Sequence, residues 1–147
     1  MEIITQSAQD TQNLGQKIAA SLIQKGAGKS AEVIALYGEL GSGKTTFTQG
    51  LAKSLGVPHR LLSPTFTIVR EHALKTATFK KLVHIDLYRV DDKDIGNLGF
   101  GEFLADPANI VVIEWAEKFK QLPANHIDIY FTHHKDNRLI KINGIDL

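Results

Sequence analysis

With 147 residues, 43% hydrophobic and 22% charged, the chain has the length of one domain and the balance of an ordinary soluble globular protein. A formal net charge of +1 argues against a strong autonomous nucleic-acid binder, and the lack of cysteine excludes a disulfide framework and thiolate chemistry. No apolar run approaches the ~18–20 residues of a membrane span, and the N-terminal residues lack the basic and then apolar regions of a signal peptide, so a cytoplasmic location without membrane attachment is the expectation.

In chain order, Ser7 to Lys25 is expected to form an amphipathic helix, with Leu14, Ile18, Leu22 and Ile23 at near-helical spacing and Gly26-Ala27-Gly28 ending it. Val33 to Tyr37 reads as a short buried strand. Directly after it, Gly38-Glu39-Leu40-Gly41-Ser42-Gly43-Lys44-Thr45 fits G-x-x-x-x-G-K-[ST], the phosphate-binding P-loop. Lys44 to Leu55 reads as the following helix, with Phe47, Leu51 and Leu55 on one face, and Gly56-Val57-Pro58 stops it. Strand, glycine loop and helix form the setting in which backbone N–H groups and a helix N-terminus create an anion site. Gly38, Glu39, Leu40, Gly41, Ser42, Gly43, Lys44, Thr45 and Thr46 are therefore the expected phosphate cradle. Lys44, read as a surface residue at the loop-to-helix junction, would reach the β- and γ-phosphates, and the Thr45 hydroxyl would ligate Mg²⁺.

Ser63-Pro64-Thr65 reads as a loop, because a residue before proline avoids the helical region. Phe66 to Glu71 is expected to be a strand, Ala73 to Lys80 a turn, and Leu82 to Asp86 a second strand ending in an acid. Asp91 to Phe103 mixes turn and helix signals. Ile110 to Glu114 is a third apolar strand ending in an acid. Ile127 to Thr132 and Leu139 to Ile142 read as a hairpin around Lys135-Asp136-Asn137. The alternation predicts an α/β fold of the three-layer P-loop NTPase type over residues 1–147 as a single domain. Its sheet is expected to be mainly parallel, with an antiparallel C-terminal edge pair.

In such sheets ligands gather at the carboxyl ends of the strands, where the P-loop, Asp86 and Glu114 all lie. Glu114 after Ile-Val-Val-Ile is a Walker B-like acid, placed to share Mg²⁺ with Thr45; the alternative is an acid that caps its strand or pairs with a lysine. Asp86 either orients or deprotonates the attacking water, binds the metal through water, or is tied structurally to Arg89 or a backbone N–H. Arg89 is equally readable as a phosphate contact or a salt bridge to Asp86 or Glu102. Thr65 is placed to touch Mg²⁺ or the γ-phosphate as a switch, with Ser63 as the competing hydroxyl. The six histidines show no metal-binding spacing; His84 reads as a packed strand residue and His133-His134 as solvated. Trp115 is either core or a ligand-sensing contact beside Glu114. No N-K-x-D element of guanine specificity occurs, so ATP is the expected nucleotide.

The series G-E-L-G-S-G-K-T-T-F (38–47), S-P-T-F-T (63–67), H-I-D-L-Y-R (84–89), L-G-F (98–100) with Glu102, and I-E-W-A-E (113–117) resembles the bacterial TsaE (YjeE) ATPase family, required for threonylcarbamoyl modification of adenosine at position 37 of tRNA. The likeness runs from Thr11 to Arg138. It implies a small P-loop ATPase that works with TsaD-like and TsaB-like partners, with ATP and Mg²⁺ as cofactors and tRNA held mainly by the partners. It also implies that Lys44 and its neighbours bind phosphates, that Thr45 and Glu114 hold Mg²⁺, that Thr65 and Asp86 serve hydrolysis, and that Thr11 and Arg138 contact the nucleotide. Two other functions compete: a stand-alone small-molecule kinase, disfavoured by four scattered arginines (60, 70, 89 and 138) and little room for a lid, and a nucleotide-dependent binding switch without significant hydrolysis.

Overall fold

The structure, a computed structural model, describes residues 1–58 and 68–147. Its frame is a seven-stranded sheet made of β1 (Glu2–Thr5), β2 (Glu32–Tyr37), β3 (Val69–Ala73), β4 (Lys81–Asp86), β5 (Asn109–Glu114), β6 (His126–His134) and β7 (Asn137–Asn143), in the spatial order β1-β7-β6-β2-β5-β4-β3. The central strands β6, β2, β5 and β4 are mutually parallel. The flanking pairs β1/β7, β6/β7 and β3/β4 are antiparallel. The expected parallel centre and C-terminal antiparallel hairpin are present. The sheet is more mixed than "mainly parallel", because β1 and β3 each add an antiparallel edge. β1 was not expected at all: its four residues, Glu-Ile-Ile-Thr, are too few to show a strand period, and they are held by pairing with β7.

Helices α1 (Ala8–Lys25) and α2 (Lys44–Ser54) cover one face of the sheet. Strand alternation sends Ile34, Leu36, Leu82, Ile110, Val112, Ile129 and Ile140 toward them, against Leu14, Ile18, Leu22, Phe47, Leu51 and Leu55. Val33, Ala35, Val83, Ile85, Val111 and Ile113 point the other way. They meet Leu87, Ile95, Phe100 and Phe119 from the segment that holds a 3₁₀ turn (Asp92–Asn97), the short helix α3 (Gly101–Ala105) and a second 3₁₀ turn (Ala116–Lys118). Strands buried on both faces explain why β2, β4 and β5 read as continuous apolar runs.

α1 begins where its capping signals place it. Ser7 is extended, its hydroxyl accepts from the Asp10 N–H at 3.1 Å, and the Asp10 carboxylate accepts from the Gln6 N–H at 3.0 Å. Gly26, at φ 83°, ends it. Ile23, expected on the apolar face, is instead exposed, since the buried stripe follows Leu14, Ile18 and Leu22.

Two glycines decide how closely α1 and α2 approach. A Cβ on Gly50 would lie 2.1 Å from the Gln12 carbonyl oxygen, and one on Gly15 would lie 2.4 Å from the Phe47 carbonyl oxygen. Both neighbours are helix backbone and cannot swing away. Gly50→Ala is therefore expected to lower the unfolding free energy by about 1–3 kcal/mol through overpacking, although alanine in a helix is intrinsically favoured by about 1 kcal/mol. Urea denaturation decides it, and an alanine variant as stable as the parent would refute the close contact.

Candidate nucleotide site

The strand register assembles the site. Leu36 pairs with Glu114, and Glu114 pairs with Asp86, so the carboxyl ends of β2, β5 and β4 lie side by side. Above them opens a cavity of about 540 Å³, within the usual range for a small-molecule site. It is lined by residues 40–46 of the glycine loop, by Asp86, Tyr88, Arg89, Glu114 and Trp115 from the strand ends, by Thr5 to Ala8 and Thr11 around the start of α1, and by Asp136 and Arg138 from the β6–β7 hairpin. Thus Leu40, Gly41, Ser42, Gly43, Lys44, Thr45, Thr46, Asp86, Glu114, Thr11 and Arg138 are brought together around one space. Gly38 and Glu39 form the loop's first turn just outside this lining. Ser63 and Thr65 lie outside the described residues.

The loop conformation depends on glycine. Gly38 has φ 146°, and a Cβ there would also meet the Phe131 carbonyl oxygen and the Ser42 hydroxyl at 2.7 Å. Gly43, at φ 110°, turns the chain directly into α2. Helix formation from Lys44 leaves first-turn N–H groups without intrahelical acceptors, at the wall of the cavity.

Lys44 corrects one expectation: it is buried, not a surface residue. Its ammonium donates to the Gly38 carbonyl and, at 3.0 Å, to the Glu39 carbonyl, and it sits 4.4 Å from the centre of the Trp115 ring. Burial lowers its pKa below the ordinary lysine value, while Glu114, Glu117, Asp86 and Glu39 pull it back up. The loop thus encloses a partly desolvated cation held by neutral carbonyls.

Glu114 is 3% exposed. The Thr45 hydroxyl donates to its Oε1 over a long 3.4 Å, and its Oε2 lies 2.7 Å from His84 Nε2. Among the described residues its hydrogen-bond partners are a threonine and a histidine, with the Lys44 ammonium acting on it as a nearby charge. A hydroxyl and a carboxylate oxygen side by side are hard donors of the kind Mg²⁺ prefers, next to a loop shaped for phosphate. The donor set fits a magnesium–nucleotide complex.

Asp86 also lines the cavity, and its Oδ1 accepts from the Tyr88 N–H at 2.9 Å. The backbone tie weighed for it is real, and it coexists with a position beside Glu114. Arg89 lines the same cavity. Trp115 adopts φ 58°, a left-handed conformation rare for a large side chain, which turns the chain sharply after β5. Its ring lies against Tyr88, with centroids 5.0 Å apart, as well as beside Lys44.

Thr11, on α1, and Arg138, on β7, are linked at the site by β1. Thr5 is in register with Arg138, and its hydroxyl bonds that of Thr11 at 2.8 Å. Arg138 donates to the Gly41 carbonyl at 3.3 Å, tying the hairpin to the crest of the loop. Thr5, Tyr88 and Asp136 line the cavity without having been foreseen. Thr5 comes in through the pairing of β1 with β7, Asp136 through the turn of the β6–β7 hairpin, and Tyr88 through the turn after β4.

Comparison with known proteins agrees over most of the chain. The family described as threonylcarbamoyl adenosine biosynthesis protein TsaE matches residues 5–140. A tRNA threonylcarbamoyladenosine biosynthesis protein TsaE from Aquifex aeolicus is 44% identical over 121 residues, covering 81% of this chain and 79% of the relative. The protein of the same name from Haemophilus influenzae is 33% identical over 147 residues, covering 97% and 90%. The crystal structure of Bacillus subtilis YdiB superimposes with a TM-score of 0.75 at 28% identity, covering 99% of this chain and 86% of that one. Among the described residues no helix is long and apolar enough to cross a membrane. With the P-loop, the two strand-end acids and the α/β sheet in place, the chain belongs to the TsaE family of threonylcarbamoyl adenosine biosynthesis proteins.

Proposed function

We propose that this chain binds Mg-ATP in the cavity at the carboxyl ends of β2, β5 and β4. We further propose that it hydrolyses the nucleotide slowly, in support of N6-threonylcarbamoyladenosine formation at tRNA position 37 by TsaD-like and TsaB-like partners. One observation carries the reading: the P-loop, Glu114 and Asp86 converge on a single cavity. The relatives' names supply the pathway.

In this reading residues 38–46 cradle the phosphates and Lys44 turns from its carbonyl partners to the β- and γ-oxygens. Thr45 and Glu114 hold Mg²⁺, which neutralises charge on the phosphates when bound. Asp86, anchored by the Tyr88 N–H, orients the attacking water. Thr11 and Arg138 bound the nucleotide side of the cavity, and Thr65 reports the state of the γ-phosphate.

Glu114→Gln is expected to weaken the magnesium dependence of nucleotide binding, since it removes a hard anionic donor. Trp115 fluorescence, sensitive to Lys44 leaving its ring, should follow the titration. Coincident Mg²⁺ curves for parent and variant would take Glu114 out of the metal site.

The chain alone is expected to turn over slowly. Phosphoryl transfer needs placed positive charge and excluded water, and an arginine supplied by a partner is worth about 10³–10⁵ in rate. Turnover measured alone and with the TsaD–TsaB pair tests this, for the parent and for Thr65→Ala. Fast turnover that ignores the partners would favour an independent enzyme; nucleotide-dependent partner binding with no turnover would favour a switch.

A further inference from the structure

We propose that His84 is a positioning residue for the metal-binding acid: its imidazole holds one oxygen of Glu114 so that the other faces Thr45. The inference rests on the reading of Glu114 as a magnesium ligand and adds a residue to it. His84 reads in the sequence as a packed strand residue, and it is indeed fully buried. Its position in the register makes it more than filler. In β4 it stands two residues before Asp86, on the face that carries Leu82 toward α2, and its Cα partner in β5 is Val112. Glu114 follows Val112 by two on the same face of β5, so His84 and Glu114 are diagonal neighbours across the strand pair. The imidazole spans that diagonal, with Nε2 2.7 Å from Glu114 Oε2, while Oε1 lies toward the Thr45 hydroxyl.

The hydrogen-bond inventory assigns the proton. A carboxylate only accepts, so the bond requires Nε2–H as donor. Nδ1 has no hydrogen-bond partner among the described residues. Among the described residues the ring makes one hydrogen bond, and that bond ends on the acid beside the P-loop. A buried carboxylate with one oxygen committed loses its freedom to rotate, and the remaining oxygen is presented at a fixed place. Partners of this kind behind a metal ligand typically change metal affinity 10–100-fold when removed.

The test is nucleotide binding by titration calorimetry across Mg²⁺ concentrations for the full chain, with ADP as the probe. His84→Gln keeps an N–H near the position of Nε2; His84→Asn, a shorter amide, does not reach it. His84→Asn should raise the Mg²⁺ concentration for half-maximal effect about 10-fold. It should leave ADP affinity in excess chelator unchanged, and His84→Gln should restore most of the loss. A purely structural role would lower binding with and without Mg²⁺ alike. If parent binding depends on Mg²⁺ and Glu114→Gln disturbs that dependence while His84→Asn does not, the proposal is overturned and the metal reading stands. If parent binding ignores Mg²⁺, the metal reading falls and takes the proposal with it. Should His84→Asn fail to fold, ¹⁵N spectra of the parent imidazole decide: a proton on Nε2 is expected with and without Mg-ADP, and a bare Nε2 in either state overturns the proposal.

Discussion

Replacing Lys44 with alanine is expected to abolish tight Mg-ATP binding and leave the fold intact. The ammonium is the buried cation of the glycine loop, held by the carbonyls of Gly38 and Glu39. Truncating one partner of a buried charged contact costs about 2–5 kcal/mol, which is a loss of roughly 30-fold to several thousand-fold in affinity. The fold should survive because the ammonium is itself a burden in the free protein: burial lowers its pKa, and alanine removes that desolvation. Helix α2 should also survive, since alanine at its first residue is at least as good a helix former. Titration calorimetry on variant protein with an unchanged thermal transition is the measurement, and unaltered ATP affinity would sink the P-loop assignment.

Asp86→Asn is expected to cut hydrolysis by about 10²–10⁴ while changing ATP affinity little, the range for loss of a positioned general base. The side chain lies at the end of β4 in register with Glu114, and its Oδ1 accepts from the Tyr88 N–H. Asparagine retains a carbonyl oxygen for that N–H and so preserves the turn, which makes the substitution a test of chemistry and not of folding. Single-turnover hydrolysis with the TsaD–TsaB pair, set beside the ATP dissociation constant, separates the two effects. Normal turnover in the variant would return Asp86 to a structural role. A loss of ATP binding equal to the loss of turnover would place it instead on the metal.

The two predictions differ in how much of them could be read from the chain itself. The P-loop is a local object: its glycines, Lys44 and Thr45 act through backbone conformations and a helix start that neighbouring residues specify, so the linear pattern sufficed. The same holds for β2, β4 and β5, whose apolar runs, ended by an acid in β4 and β5, announce buried parallel strands. The α1 helix and the β6–β7 hairpin were legible for similar reasons. Non-local geometry was not. Only the register of β4 with β5 sets Asp86 beside Glu114 and puts His84 on the diagonal from it. The pairing of β1 with β7 sets Thr5 beside Arg138 and Thr11, and the β6–β7 hairpin carries Arg138 to the loop. The burial of Lys44 and the glycine contacts between α1 and α2 depend on how separate segments pack. By itself the sequence determined which chemical groups are present and which strand ends carry them, because periodicity and turn chemistry act over a few residues. The tertiary structure alone decided which of those groups touch, because sheet order and helix approach are set by contacts between residues tens of positions apart.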